Sequence, residues 1–118
     1  MVENNNFISQ LFTVATTRRH RFGVVIKGDE QWQQSWLQQA AEQITPQQVF
    51  QLGGQASEYV NKRVGYAKGH QLLGQECRLL ICDFDDGFDA NSFSAAIGCV
   101  VGGGLVVILP KKNQPTSF

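Results

Sequence analysis

The chain has no excess of either charge: ten Lys and Arg balance ten Asp and Glu. A neutral chain exerts no global pull on nucleic acid, so any RNA contact needs a local basic patch. No apolar run reaches the ~18 residues a membrane span requires, so no membrane partner is expected. The start, Met1-Val2-Glu3-Asn4, lacks the basic residues and apolar core of a signal peptide, and a cytoplasmic location is expected. Cysteine is scarce. Cys77, Cys82 and Cys99 are odd in number with no Cys-x-x-Cys pair, and they read as buried free thiols in a reducing compartment. The nucleotide signatures G-x-G-x-x-G and G-x-x-x-x-G-K-[ST] are missing. So are an aromatic RNP sequence and a GXXG clamp. His20 and His70 stand far apart, without metal-ligand spacing. What remains is a globular composition, 42% apolar and 17% charged over 118 residues. One domain of that size buries roughly two thirds of its unfolded surface.

The organisation follows from apolar patterning. Asn4, Asn5 and Asn6 offer a helix N-cap, and Ile8, Leu11, Phe12 and Ala15 fall on one helical face. Arg18-Arg19-His20-Arg21 closes that helix, and residues 22–26 form a short apolar strand. Gly28-Asp29-Glu30 turns into a second helix striped by Trp32, Trp36, Leu37, Ala40, Ala41 and Ile44, which Pro46 stops. Residues 49–52 read as a weak strand. Residues 53–69 read as a loop with one helical turn near 57–61, and 70–73 as a short helix ending at Gly74. Leu79-Leu80-Ile81-Cys82 and Leu105-Val106-Val107-Ile108-Leu109 are near-continuous apolar runs joined through a helix that begins at Ala90 and faces Phe93, Ile97, Val100 and Val101 to the core. Such runs predict parallel strands buried on both faces. Gly102-Gly103-Gly104 is expected to punctuate the helix before the last strand.

The predicted fold is a three-layer Rossmann-like α/β domain over residues 1–110, with about four parallel strands in the order 2-1-3-4. Residues 111–118 are expected to be a flexible polar tail, the truncated end of a longer multidomain protein. That strand order sets the first and third strands side by side, so Lys27 and Asp83 would share the crevice where open α/β sheets place ligands.

Four carboxylates, Asp83, Asp85, Asp86 and Asp89, lie within seven residues. Hard cations favour such oxygen clusters, but the spacing fails the EF-hand pattern. Asp89 reads as the N-cap of the following helix, and Asp85 and Asp86 as turn residues. Lys27, Asp83, Asp85 and Asp86 remain candidates for a ligand or metal. Gly28-Asp29-Glu30 places two carboxylates where a phosphate would need positive potential. Arg18, Arg19 and Arg21, and separately Lys62, Arg63 and Lys68, are candidate RNA contacts, or else a solvated helix end and a solvated loop. Trp32 and Trp36 read as core or as a docking face.

Several pieces together resemble the N-terminal domain of the bacterial tRNA(Met) cytidine acetyltransferase family, TmcA. They are Gly28-Asp29-Glu30-x-Trp32, then Leu72-Leu73-Gly74-x-Glu76-x-Arg78, then Asp83 with Gly87-Phe88-Asp89-Ala90 and Phe93, and the strand ending Leu109-Pro110. The resemblance spans about Phe22 to Pro110, and 53–69 departs from it. It implies a larger enzyme that continues into an ATPase domain, an acetyltransferase domain and a tRNA-binding region. The whole enzyme would acetylate the wobble cytidine of elongator tRNA(Met), with acetyl-CoA as donor and ATP or GTP hydrolysed with Mg²⁺. This stretch carries neither a Walker A loop nor an acetyl-CoA loop, so no cofactor and no catalytic residue is expected in it. The resemblance implies an accessory domain that docks onto the ATPase and acetyltransferase domains of its own polypeptide or touches tRNA. The alternatives are a free-standing ligand- or metal-binding module and an RNA-binding adaptor.

Overall fold

The two strongest apolar runs become inner strands of one sheet. The computed structural model describes residues 7–14 and 21–110. Its strands are β1 (Phe22–Val25), β2 (Val49–Leu52), β3 (Lys62–Val64), β4 (Cys77–Asp83) and β5 (Val100–Leu109). All pair in parallel, in the order β1-β5-β4-β2-β3. Helices α1 (residues 7–14), α2 (Glu30–Ala41) and α3 (Ala90–Ile97) are joined by short 3-10 turns at Pro46–Gln48 and Gly69–Leu72.

The three-layer α/β class is as predicted, but the sheet has five strands and a different order. A strand takes the centre when both its faces are apolar. Leu79 to Cys82 and Leu105 to Val107 are almost wholly buried. In β1, Phe22 and Val24 are half-buried while Gly23 and Val25 are exposed, the pattern of an edge. β5 therefore lies between β1 and β4, and Lys27 and Asp83 do not flank a shared switch point.

β1-α2-β2 and β4-α3-β5 cross the sheet in opposite directions. A common right-handed sense then places their helices on opposite faces. Ile8 and Phe12 of α1, and Trp36, Leu37, Ala40 and Ala41 of α2, pack on Val49, Leu79, Ile81, Leu105 and Val107. On the other face Leu72, Ala96 and Cys99 pack on Phe50, Leu52, Leu80, Cys82 and Val106. Alternation along β4 and β5 assigns their side chains to the two cores.

The predicted cap at Asp89 forms, and Asp29 caps α2 in the same way. The Asp29 carboxylate accepts from Trp32 N–H at 2.8 Å, and Asp89 accepts from Ser92 N–H at 2.8 Å. α3 ends at Ile97, so Val100 and Val101 belong to β5. The glycine triplet also lies inside β5. Cys77 pairs with Val100 and Leu79 with Leu105, so β5 bulges through residues 101–104. The predicted helix over 70–73 is a 3-10 turn over Gly69–Leu72. Asn4, Asn5, Asn6, Ala15, Arg18, Arg19, His20 and the tail 111–118 lie outside the described residues.

Candidate functional site at the carboxyl edge of the sheet

Parallel strands present their carboxyl ends together, so the loops after β2, β3 and β4 meet at one edge. Each loop is shaped by its sequence. After β2, the buried Gln51 amide donates to Gly53 O at 2.9 Å and Gln55 O at 3.1 Å. This folds Gly53 (φ 78°) and Gly54 (φ 69°) into left-handed turns that side-chain-bearing residues resist. A Cβ at Gly54 would also lie 2.9 Å from Asp83 Cβ. Gly53 N–H donates to Val64 O at 2.8 Å, which ties this loop to β3.

The acidic turn 83–89 closes over that glycine pair. Asp86 Oδ2 accepts from Gly54 N–H at 3.1 Å and faces the Arg63 guanidinium at 3.7 Å. Arg63 Nε in turn donates to Gly54 O at 2.7 Å. Asp83 Oδ1 accepts from Asp85 N–H at 3.0 Å, and Asp89 caps α3. The arrangement is one that knits three loops with carboxylates. Among the described residues no three His, Cys, Asp or Glu side chains converge in a geometry that could hold a metal ion.

Neither glycine turn fits a nucleotide phosphate or the pyrophosphate of acetyl-CoA. The N-terminus of α2 is filled by its own Asp29 carboxylate, and the Gly53-Gly54 turn by Asp86 with Asp83 alongside. A second anion at either place would meet like charge. The thiols are also withdrawn from chemistry. Burial pushes Cys77 and Cys82 up to about 12, neighbouring thiols add to the shift, and Cys99 is raised by burial while its Sγ–H meets Leu72 O at 3.0 Å.

The basic candidates are spread out. Arg21 donates to Ile97 O at 3.0 Å, where a cation suits the end of α3. Lys62 Nζ donates to Gln75 Oε1 at 3.0 Å, and Arg63 is engaged with Asp86. Lys68 and Lys27 are exposed. Arg21 precedes β1 and Lys62 opens β3, the two opposite edges of the sheet, separated by roughly 19 Å at ~4.8 Å per strand interval. Trp36 is buried in the first core, and the half-buried Trp32 packs against it.

Sequence reading missed a groove of about 680 Å³ between α2 and the loop 53–61. There Gln34 Oε1 accepts from Tyr59 Oη at 2.6 Å and from Ser57 Oγ at 3.1 Å. Burial raises the Tyr59 phenol above its ordinary value. The signal in the sequence is the row Gln33, Gln34, Gln38 and Gln39 between the apolar positions of α2.

Residues 1–118 match the family model described as tRNA(Met) cytidine acetyltransferase TmcA, N-terminal. A curated relative from Vibrio cholerae, named tRNA(Met) cytidine acetyltransferase TmcA, is 38% identical over 118 residues, which is 100% of this chain and 16% of the relative. One of the same name from Nitrosococcus halophilus is 32% identical over 114 residues, covering 91% of this chain and 15% of the relative. The chain thus spans about one sixth of the length of these relatives.

Proposed function

Since the chain belongs to the family of TmcA N-terminal domains, we propose that it is the accessory, non-catalytic domain of a tRNA(Met) cytidine acetyltransferase. On this reading it docks onto the remaining domains of its own polypeptide. Acetyl-CoA, ATP with Mg²⁺, and the wobble cytidine of the tRNA are then bound by those domains, in the cytoplasm.

The observation that carries the reading is the match along the whole chain to relatives about six times its length. The edge where an α/β sheet would hold a substrate supports it: the Asp86 carboxylate and the Gly54 and Arg63 donors satisfy one another there. Docking is favoured over a contact to RNA because the acidic turn repels phosphates and Arg21 lies at the opposite edge of the sheet from Lys62 and Arg63.

Deleting residues 1–118 from the full-length enzyme and assaying acetylation of tRNA tests the proposal. The expected result is a protein that assembles poorly and acetylates weakly, with no acetylation by the excised piece. Unchanged assembly and activity after the deletion would refute it.

A further inference from the structure

Among the described residues, the β1 end of the sheet's second face is only partly covered. The register aligns Val25, Ile108, Cys82, Leu52 and Val64 in a row across the five strands. On the face covered by α3, Cys82, Leu52 and Val64 are buried in the second core. Val25 is 53% exposed and Ile108 is half-buried. One step back along β1, Gly23 is exposed, and a Cβ built on it meets nothing within 4 Å. Ile108 packs against the second core beneath α3, and beside β1 the end of α3 is met by Arg21, which donates to Ile97 O.

Parallel sheets carry cover on both faces, because their strands are apolar on both. A glycine inside a strand marks a place where another backbone can come close. The chain leaves β5 at Leu109, beside this strip, at the carboxyl edge. The eight residues 111–118 hold a single apolar side chain, Phe118, too little for an apolar stripe. The relatives continue for several times the length of this chain.

We propose that an amphipathic helix, from the polypeptide beyond residue 118 in the parent enzyme, packs on the β1–β5 half of this face and rests on Gly23 and Val25. The proposal builds on the accessory-domain reading and adds the surface and its occupant. A tethered segment leaving beside its own binding surface has a high effective concentration there, so a modest apolar patch suffices.

The test uses the full-length enzyme. Val25→Cys is expected to react with a maleimide at least tenfold more slowly than the exposed control Gln47→Cys. A photo-crosslinking residue at position 25 is expected to join residues beyond 118 of the same molecule. Gly23→Leu, which the domain itself has room for, is expected to restore fast labelling of Val25→Cys. Labelling of Val25→Cys as fast as the control overturns the proposal, even where the deletion assay upholds an accessory role. Crosslinks to a second copy, or to residues 1–20 or 111–118, overturn it too. So does continued protection of Val25→Cys in the Gly23→Leu background.

Discussion

Replacing Gly69 with alanine puts a methyl group where the backbone of Ser92 already lies. The added Cβ would come within 2.8 Å of the Ser92 carbonyl carbon and 2.7 Å of its Oγ. The first of these is backbone, so no rotamer change relieves it. The contact is also where the 3-10 turn is fastened to α3. Gly69 N–H donates to Ser92 Oγ at 2.6 Å, and that hydroxyl donates to Tyr66 O at 2.6 Å. Forcing the two backbones apart costs about 1–3 kcal/mol as overpacking. Each buried polar group left without its partner costs about 1–3 kcal/mol more, partly recovered by water. A total of about 2–4 kcal/mol follows, and at roughly 4 °C per kcal/mol for a domain of this size the melting temperature falls by roughly 8–16 °C.

Thermal unfolding followed by circular dichroism reads this directly. Ser92→Ala separates the two contributions, because it removes the bridging hydroxyl but leaves the backbone in place. Its expected cost is about 1–3 kcal/mol. The double variant should cost less than the sum of the singles, since Gly69→Ala already strains the same bridge. A Gly69→Ala protein that melts within about 2 °C of the parent would refute the close approach of turn and helix.

Two further outcomes are expected. The buried Cys77 and Cys82 thiols are pushed up to about 12 from an ordinary 9.0; the folded state keeps protons the unfolded chain releases, so stability holds below pH 9 and falls towards pH 12 by up to about 1.4 kcal/mol per pH unit per thiol. Cys82→Val should flatten this alkaline decline in urea titrations, and an unchanged slope would show that the thiol is not buried as described. Asp86→Ala frees Gly54 N–H and Arg63, and because the ion pair is 38% and 43% exposed at its two ends, the loss should be about 1 kcal/mol and shrink in high salt. A loss above about 3 kcal/mol would mean that the carboxylate is held in a far drier setting than these exposures describe.

Local chemistry was legible in the sequence, and non-local pairing was not. The stripe of α2, the face of α1 and the cap Asp89 depend on residues three or four apart. The inner strands β4 and β5 announced themselves by apolar runs. β3 did not: Lys62-Arg63-Val64 is three residues long with two charges, too short for any period. Charged residues of that kind suit an edge, and only its pairing with β2 makes it a strand. A glycine triplet looks like the end of a helix, yet here it lies inside β5, where the bulge absorbs it. Strand order was misjudged because an edge and a centre differ in what lies on the second face, and no single strand shows that.

The acidic turn carries this limit into function. A carboxylate aimed at a backbone N–H and one aimed at a cation are the same residue in a sequence. The choice lies with partners elsewhere in the chain. For Asp86 these are Gly54, 32 residues back, and Arg63 on the edge strand that the sequence concealed. Once those donors are placed, three loops close on one another with little anion or cation demand left over. Apolar side chains are left exposed among the described residues, Val25 beside the open Gly23 as well as Leu73 and Phe88. An acidic edge whose donors and acceptors meet one another, beside a partly covered β1 edge, is the arrangement on which the accessory-domain proposal draws.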